Sequence, residues 1–284
     1  MPLGRTGLTE SVSLKNYTSI KIGGRAKYFY TAESINDLGK IVADIGSDFY
    51  LLGKGSNLLI ADSLIEKPVV RLGKDFTYLK EKEDLLEVGA STPLSFLVEY
   101  CLENNLSGIE NLVGIPATVG GLLAMNAASF GRSISSDLKE VDVMNREGEI
   151  KTYEKGEITL GYRFSSLQKY IILGARFRLS LKKNLRPKVD EFLGKRLSTQ
   201  DFDFPSCGCI FKNTPEFSAS FLIDSLRLKG MRKGDAQISQ RHANFIINCG
   251  AAKYNDVDYL IQKIKDQIYK KYSIILQEEI KRWK

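Results

Sequence analysis

The stretch FYLLGKGSNLLIAD, residues 49–62, sets small residues between two apolar runs. A turn of this kind can aim the backbone N–H groups of Gly53, Gly55, Ser56 and Asn57 at an anion, with Leu52 and Leu58 as its shoulders. Two familiar nucleotide loops are excluded. The dinucleotide pattern Gly-x-Gly-x-x-Gly fails because its third glycine position is Leu58. The phosphate loop Gly-x-x-x-x-Gly-Lys-Ser/Thr has no counterpart at this spacing. The runs 49–52 and 58–61 are read as the strands of a tight strand-turn-strand, and a glycine-rich hairpin that binds nothing is the competing explanation.

A second run, GIENLVGIPATVGGLLAMNAASFG (residues 108–131), nearly lacks large side chains between Val113 and Ala128. That composition suits a backbone approached closely by a bulky ligand, and equally a tight helix–sheet contact. The cysteines at 101, 207, 209 and 249 form no Cys-x-x-Cys pair and no zinc framework, so no metal is expected and reduced thiols are. His242 is the sole histidine.

The elements that must position these residues follow from periodicity. Ser34 and Asp37 open a helix with Ile35, Leu38, Ile41, Val42 and Ile45 on one face. Thr92-Pro93 is expected to cap a second helix carrying Leu94, Leu97, Val98, Cys101 and Leu102. Glu147-Gly148 reads as a hairpin turn. Charge rises over residues 181–192, where Pro187 is expected to interrupt regular structure and mark a boundary. Beyond it, Asn255 is expected to cap an amphipathic helix with Val257, Leu260, Ile261, Ile264 and Ile268 inward. The pattern is α+β.

The 284 residues are 43% hydrophobic and 26% charged, the balance of an ordinary globular protein. No apolar run reaches the roughly 18 residues of a membrane span, and the N-terminus lacks the apolar core of a signal peptide, so a cytoplasmic location is expected. Lys plus Arg number 41 against 34 Asp plus Glu, a formal charge of +7. These charges are spread along the chain, which fits a pocket for an acidic small molecule or a generic surface; nucleic acid is not indicated.

Taken in order, the motifs resemble the bacterial UDP-N-acetylenolpyruvoylglucosamine reductases, flavoenzymes of peptidoglycan precursor synthesis. LLGKGSNLLIAD is similar to the family's first flavin-contacting loop and GIPATVGGLLAMNAASFG to its second. GYRFS resembles the site of a catalytic arginine, PSCGCIFKN the proton-donor segment, ISQRHANFIIN a substrate-domain strand, and LQEEIK the place of a catalytic glutamate. The resemblance implies the FAD-binding fold of the vanillyl-alcohol oxidase and p-cresol methylhydroxylase type. It also implies three parts: FAD-binding subdomains at 1–72 and 73–183, and an α+β substrate-binding domain at 184–284. FAD would be held by Leu52, Gly53, Gly55, Ser56, Asn57 and Leu58 from the first loop. From the second it would meet Gly114, Ile115, Pro116, Thr118, Gly120, Gly121, Asn126 and Ala127. The short interval between Arg163 and Cys209, with no segment bearing a tyrosine lid, looks like the shorter second type of the enzyme. A monomer is expected.

The reaction the resemblance implies is reduction of the enolpyruvyl ether of UDP-N-acetylglucosamine to a lactyl ether, with NADPH supplying electrons through FAD. Negative charge developing beside the substrate carboxylate calls for fixed positive charge and a proton source. Arg163 fits the first need through its permanently charged fork. Glu279 fits as a donor when protonated, with Glu278 beside it as a decoy. Cys209 stands where the family usually has serine and, as a stronger acid, keeps the proton-donor role, with a thiolate stabilised near Arg163. Asn213, Lys212 and Arg196 are assigned to the nucleotide sugar, and His242 to structure. Further departures are Thr214 for the usual proline of FKNP, Ala117 in Pro116-Ala117-Thr118, and Asp235 for a glycine. The alternative is another FAD oxidoreductase of this fold acting on a small alcohol or sugar.

Overall fold

In the computed structural model, which describes residues 6–284, the caps follow local chemistry where it is strong and depart from it where tertiary contacts compete. The reading of the N-terminus rests partly on residues 1–5, outside the described residues. Along the chain run β1 (Leu8–Ser13), β2 (Arg25–Ala32), α1 (Ile35–Ile45), β3 (Tyr50–Leu52), β4 (Leu58–Ile60), β5 (Val69–Leu72), β6 (Leu79–Lys82) and β7 (Leu85–Gly89). Then come α2 (Leu94–Glu103), α3 (Val119–Met125), β8 (Leu138–Met144), β9 (Ile150–Glu154), β10 (Ile171–Phe177) and α4 (Arg186–Thr199). The last part holds β11 (Ser206–Cys209), α5 (Ala219–Ser225), β12 (Arg232–Lys233), β13 (Ala236–Ile238), β14 (Phe245–Asn248), α6 (Tyr254–Tyr272) and β15 (Lys281–Trp283).

The Ser34 hydroxyl accepts from the Asp37 N–H at 3.1 Å, and α1 buries Leu38, Ile41 and Val42 before stopping at Gly46, φ 73°. In α2 the cap differs from expectation. Thr92 makes no cap, because its buried hydroxyl exchanges hydrogen bonds with the backbone of Tyr78 at 3.1 and 3.0 Å, and Pro93 starts the helix alone. Nor does Asn255 cap α6: that position belongs to Lys253, whose N–H donates to the Asp256 carboxylate at 3.0 Å. Pro187 breaks nothing. It lies in the first turn of α4, where its missing N–H has no helical acceptor to lose. The turn at Gly148 (φ 93°) forms as read, with Asn145 Oδ1 accepting from the N–H groups of Glu147 and Glu149.

Two units divide the chain. The first takes in residues 6–10, 28–54 and 67–195, around a core that includes Tyr30, Leu38, Val70, Val88, Leu122, Val141 and Phe177. In it β2, β5 and β3 lie parallel, and an antiparallel sheet runs in the order β9-β8-β10-β7-β6. The second takes in 11–27, 55–66 and 196–284, with its own core of Ile20, Leu59, Phe211, Ile246, Leu260, Ile264 and others. Its sheet is antiparallel in the order β11-β14-β13-β12, and β15 pairs with β4 in parallel. Among the described residues no helix is long and apolar enough to cross a membrane.

The glycine turn at 53–57 is therefore flanked by strands as read, but it is not a hairpin. β3 pairs with β5, and β4 pairs with the C-terminal β15. Tertiary partners for both arms outcompete the local pairing that a tight turn would favour.

Candidate active site

In the first unit the two glycine-bearing loops meet at Thr118. A Cβ placed on Gly53 would find only Thr118 Oγ1, at 3.2 Å, and one on Gly121 only the same atom at 3.5 Å. The Thr118 hydroxyl also accepts from the Gly121 N–H at 3.4 Å and so caps α3. The bare backbone beside Gly53 and Gly121 leaves space a flat, bulky cofactor can enter, which fits FAD. Gly120 has a different use. Its N–H donates to the Ala90 carbonyl at 2.8 Å and a Cβ there would sit 3.0 Å from the Ala90 Cβ, so this glycine serves helix–sheet packing.

Arg163 occupies the second position of a two-residue turn, between the paired residues Gly161 and Phe164. Its φ of 53° is left-handed, a conformation costing an L-residue with a bulky side chain about 1–2 kcal/mol. The turn is held from below. Asn126, itself left-handed at φ 43°, donates from Nδ2 to the Gly161 carbonyl at 3.0 Å, while its Oδ1 accepts from the buried Ser135 hydroxyl at 2.6 Å. Arg163 Nη1 donates to the Ala128 carbonyl at 3.1 Å. The Asn126 side chain is thus engaged by the arginine turn and Ser135.

In the second unit Gly55 (φ 68°) packs so tightly that a Cβ would lie 1.9 Å from the Tyr17 carbonyl oxygen, and its own carbonyl accepts from Ser19 N–H at 3.2 Å. Asn57 Nδ2 donates to the Glu279 carbonyl at 3.1 Å, and the Asn57 carbonyl accepts from Lys281 N–H at 2.9 Å. The Glu279 N–H in turn donates to the Ile210 carbonyl at 2.8 Å, and Phe211 bridges Glu278 in antiparallel fashion. Glu279 is thus pinned between the glycine turn and the chain that leaves Cys209.

Cys209 ends β11 after a bulge: Ser206 faces Ile247 and Cys209 faces Phe245, with Gly208 left-handed at φ 75°. Such an irregularity re-aims the side chain that follows it. Beyond it, buried Asn244 brackets Phe211, accepting from its N–H at 3.0 Å and donating to its carbonyl at 2.8 Å. Sequence reasoning missed Asn244 and the clamp by Asn57, because neither partner is local. Cys207 is fully buried, and burial pushes its thiol up to about 12. Cys209 is half-buried, so the two thiols differ in access.

The residues assigned to the nucleotide sugar separate. Arg196 is 7% exposed and donates to Gln200 Oε1 at 3.3 Å. Burial pushes its guanidinium down and the Cys209 thiol partly offsets this, so within this unit Arg196 is a cation that Cys209 feels. Asn213 is exposed, with Oδ1 accepting from Ala219 N–H at 3.0 Å, and Lys212 donates its N–H to the Gln277 carbonyl at 2.9 Å. Thr214, in place of proline, closes its turn by accepting from Phe217 N–H at 2.9 Å. His242 packs on Phe245 with ring centroids 4.5 Å apart. Burial and nearby Lys229 hold its pKa below the usual value, as befits a structural histidine.

Comparison with known proteins bears on both parts of the chain. Residues 26–154 match a family model described as an FAD binding domain, and residues 200–283 match the UDP-N-acetylenolpyruvoylglucosamine reductase C-terminal domain. The chain is 36% identical over 276 residues to the UDP-N-acetylenolpyruvoylglucosamine reductase of Thermotoga petrophila, covering 95% of this chain and 96% of that protein. To the reductase of the same name from Chlamydia abortus it is 38% identical over 279 residues, covering 95% and 93%. The crystal structure of the Thermus caldophilus UDP-N-acetylenolpyruvylglucosamine reductase superposes with a TM-score of 0.84 at 35% identity, over 98% of this chain and 100% of that one. With glycine loops fitted to a flavin in the residues matched by the FAD-binding model, and likeness running nearly end to end, the chain belongs to the UDP-N-acetylenolpyruvoylglucosamine reductase family and is an FAD-dependent oxidoreductase.

Proposed function

We propose that this chain reduces UDP-N-acetylglucosamine enolpyruvate to UDP-N-acetylmuramate in peptidoglycan precursor synthesis, with NADPH as the electron source, acting as a monomer in the cytoplasm and as the shorter second type of the family. The observation that carries the reading is the Gly208 bulge that presents Cys209 one residue before Ile210, whose carbonyl holds the Glu279 N–H at 2.8 Å. Bound FAD would supply hydride chemistry between the nicotinamide and the terminal carbon of the enolpyruvyl double bond, leaving one proton for the protein to provide.

The protein's own groups do the rest. The backbone at Leu52, Gly53, Gly55, Ser56, Asn57 and Leu58, and at Gly114, Ile115, Pro116, Thr118, Gly121 and Ala127, holds the cofactor, with Gly120 and Asn126 supporting from behind. Arg163, held left-handed at φ 53°, offers its guanidinium to the substrate carboxylate as negative charge builds there. Glu279 donates a hydrogen bond to the same charge. Cys209 gives its proton to the carbon beside the carboxylate, and Arg196 favours the thiolate left behind. Lys212, Asn213 and Arg196 serve the nucleotide sugar, with the 7% exposed Arg196 the most buried of the three. The three-part division at 1–72, 73–183 and 184–284 belongs to the same reading.

The test is an anaerobic half-reaction. The flavin is reduced with NADPH, UDP-N-acetylglucosamine enolpyruvate is added, and return of the oxidised spectrum is followed. Reoxidation by that substrate is expected; a flavin that stays reduced until air enters overturns the reading in favour of an oxidase on a small alcohol or sugar.

A further inference from the structure

Glu278 and Glu279 are chemically identical neighbours, yet the fold gives them different surroundings. Glu278 accepts from Lys265 Nζ, and from Arg282 Nε at 2.7 Å and Nη2 at 3.2 Å. Arg282 also reaches α6, donating from Nη1 to Asp258 Oδ1 at 2.6 Å and to Tyr254 Oη at 2.7 Å. The Glu278 and Arg282 side chains are only 17% and 19% exposed. Three residues spaced along α6, Tyr254, Asp258 and Lys265, thus grip the two sides of the segment that carries Glu279.

The same segment is fixed on its backbone. Lys212 N–H donates to Gln277 O, Phe211 bridges Glu278, and Glu279 N–H donates to Ile210 O. In an extended chain successive side chains leave on opposite sides, so holding Glu278 against α6 turns Glu279 the other way. Resting on the catalytic reading of Glu279 above, we propose that Glu278, locked by Arg282 and Lys265, is a positioning residue that sets the direction and register of Glu279 beside the chain leaving Cys209. An ionised Glu278 suits this role. Burial opposes its charge, but hydrogen bonds from Arg282 and Lys265 outweigh that and hold its carboxyl below the usual range.

The experiment compares Arg282→Met, Arg282→Lys, Glu278→Gln, Glu279→Gln and the double variant Arg282→Met/Glu279→Gln as flavin-loaded full-length proteins. Flavin content and the rate of anaerobic reduction are measured first; then reoxidation is followed against UDP-N-acetylglucosamine enolpyruvate concentration and pH. Arg282→Met is expected to reduce at the parent rate and to reoxidise about tenfold more slowly at saturating substrate, with half-saturation little changed. Glu278→Gln, which keeps shape and folds if Arg282→Met does not, shows the same direction more weakly. Arg282→Lys recovers most of the rate. The double variant is no slower than Glu279→Gln, because a positioning residue has nothing left to position. If Glu279→Gln reoxidises like the parent, the catalytic reading of Glu279 fails. If Glu279→Gln is slow while Arg282→Met and Glu278→Gln match the parent, or if the two losses multiply in the double variant, the positioning role alone is overturned.

Discussion

The Asn57 side-chain amide donates to the main-chain carbonyl of Glu279 at 3.1 Å across 222 residues of sequence. A residue of the glycine turn therefore holds the backbone of the candidate acid, and β4, which leaves that turn, pairs with β15, which leaves Glu279. Asn57 and Glu279 are built as one piece within the second unit.

Removing that amide has a measurable cost. Asn57→Ala gives up a partly buried hydrogen bond, a loss of about 0.5–1.5 kcal/mol, and is expected to lower Tm by a few degrees in calorimetry of the flavin-free protein. An unchanged Tm would show that the clamp contributes nothing to the fold.

Glycines predict opposite outcomes according to their surroundings. Gly55→Ala must place a methyl 1.9 Å from the Tyr17 carbonyl oxygen at a left-handed φ of 68°, so it is expected to destabilise by well over about 1 kcal/mol and to purify with little flavin. Gly39, inside α1 with nothing within 4 Å of an added Cβ, is expected to stabilise by about 0.5–1 kcal/mol on change to Ala. Urea midpoints of the two variants should move in opposite directions.

The thiols should label in two classes. Burial pushes both Cys101 and Cys207 up to about 12, so neither should react with iodoacetamide in the native protein, whereas half-buried Cys209 and Cys249 should. UDP-N-acetylglucosamine enolpyruvate should protect Cys209 and leave Cys249 exposed to reagent, as read by peptide mass spectrometry. Cys209→Ser is expected to keep turnover, and Cys209→Ala to lose about 10²–10⁴-fold in the rate of flavin reoxidation.

His242 sets a pH dependence. Burial first, and then Lys229, keep its ring neutral in the fold, so the unfolded chain takes up the proton first as pH falls below about 6.5. Its contribution to stability is present above that pH and is lost as pH descends toward the folded pKa, with a slope of at most about 1.4 kcal/mol per pH unit. Urea midpoints measured between neutral and mildly acidic pH should fall less steeply for His242→Gln than for the parent.

Sequence alone carried what is local or ordered along the chain. Ser34 with Asp37 and the inward faces of α1, α2 and α6 follow from spacing, because a helix places residues three and four apart on one side; Ile35, in the first turn of α1, is the exception and stays exposed. The order of motifs from LLGKGSNLLIAD to LQEEIK carried the family. Tertiary structure decided the rest, since it turns on partners far away in sequence. Thr92 abandons its cap for Tyr78, the arms of the glycine turn pair with β5 and β15 instead of each other, and Arg196 is buried. Glu278 and Glu279 look alike in any reading of LQEEIK; only the ion pairs from Lys265 of α6 and Arg282 of β15 give one to the framework and leave the other to the clamp of Asn57. Those contacts depend on how distant segments pack, and no local spacing encodes that.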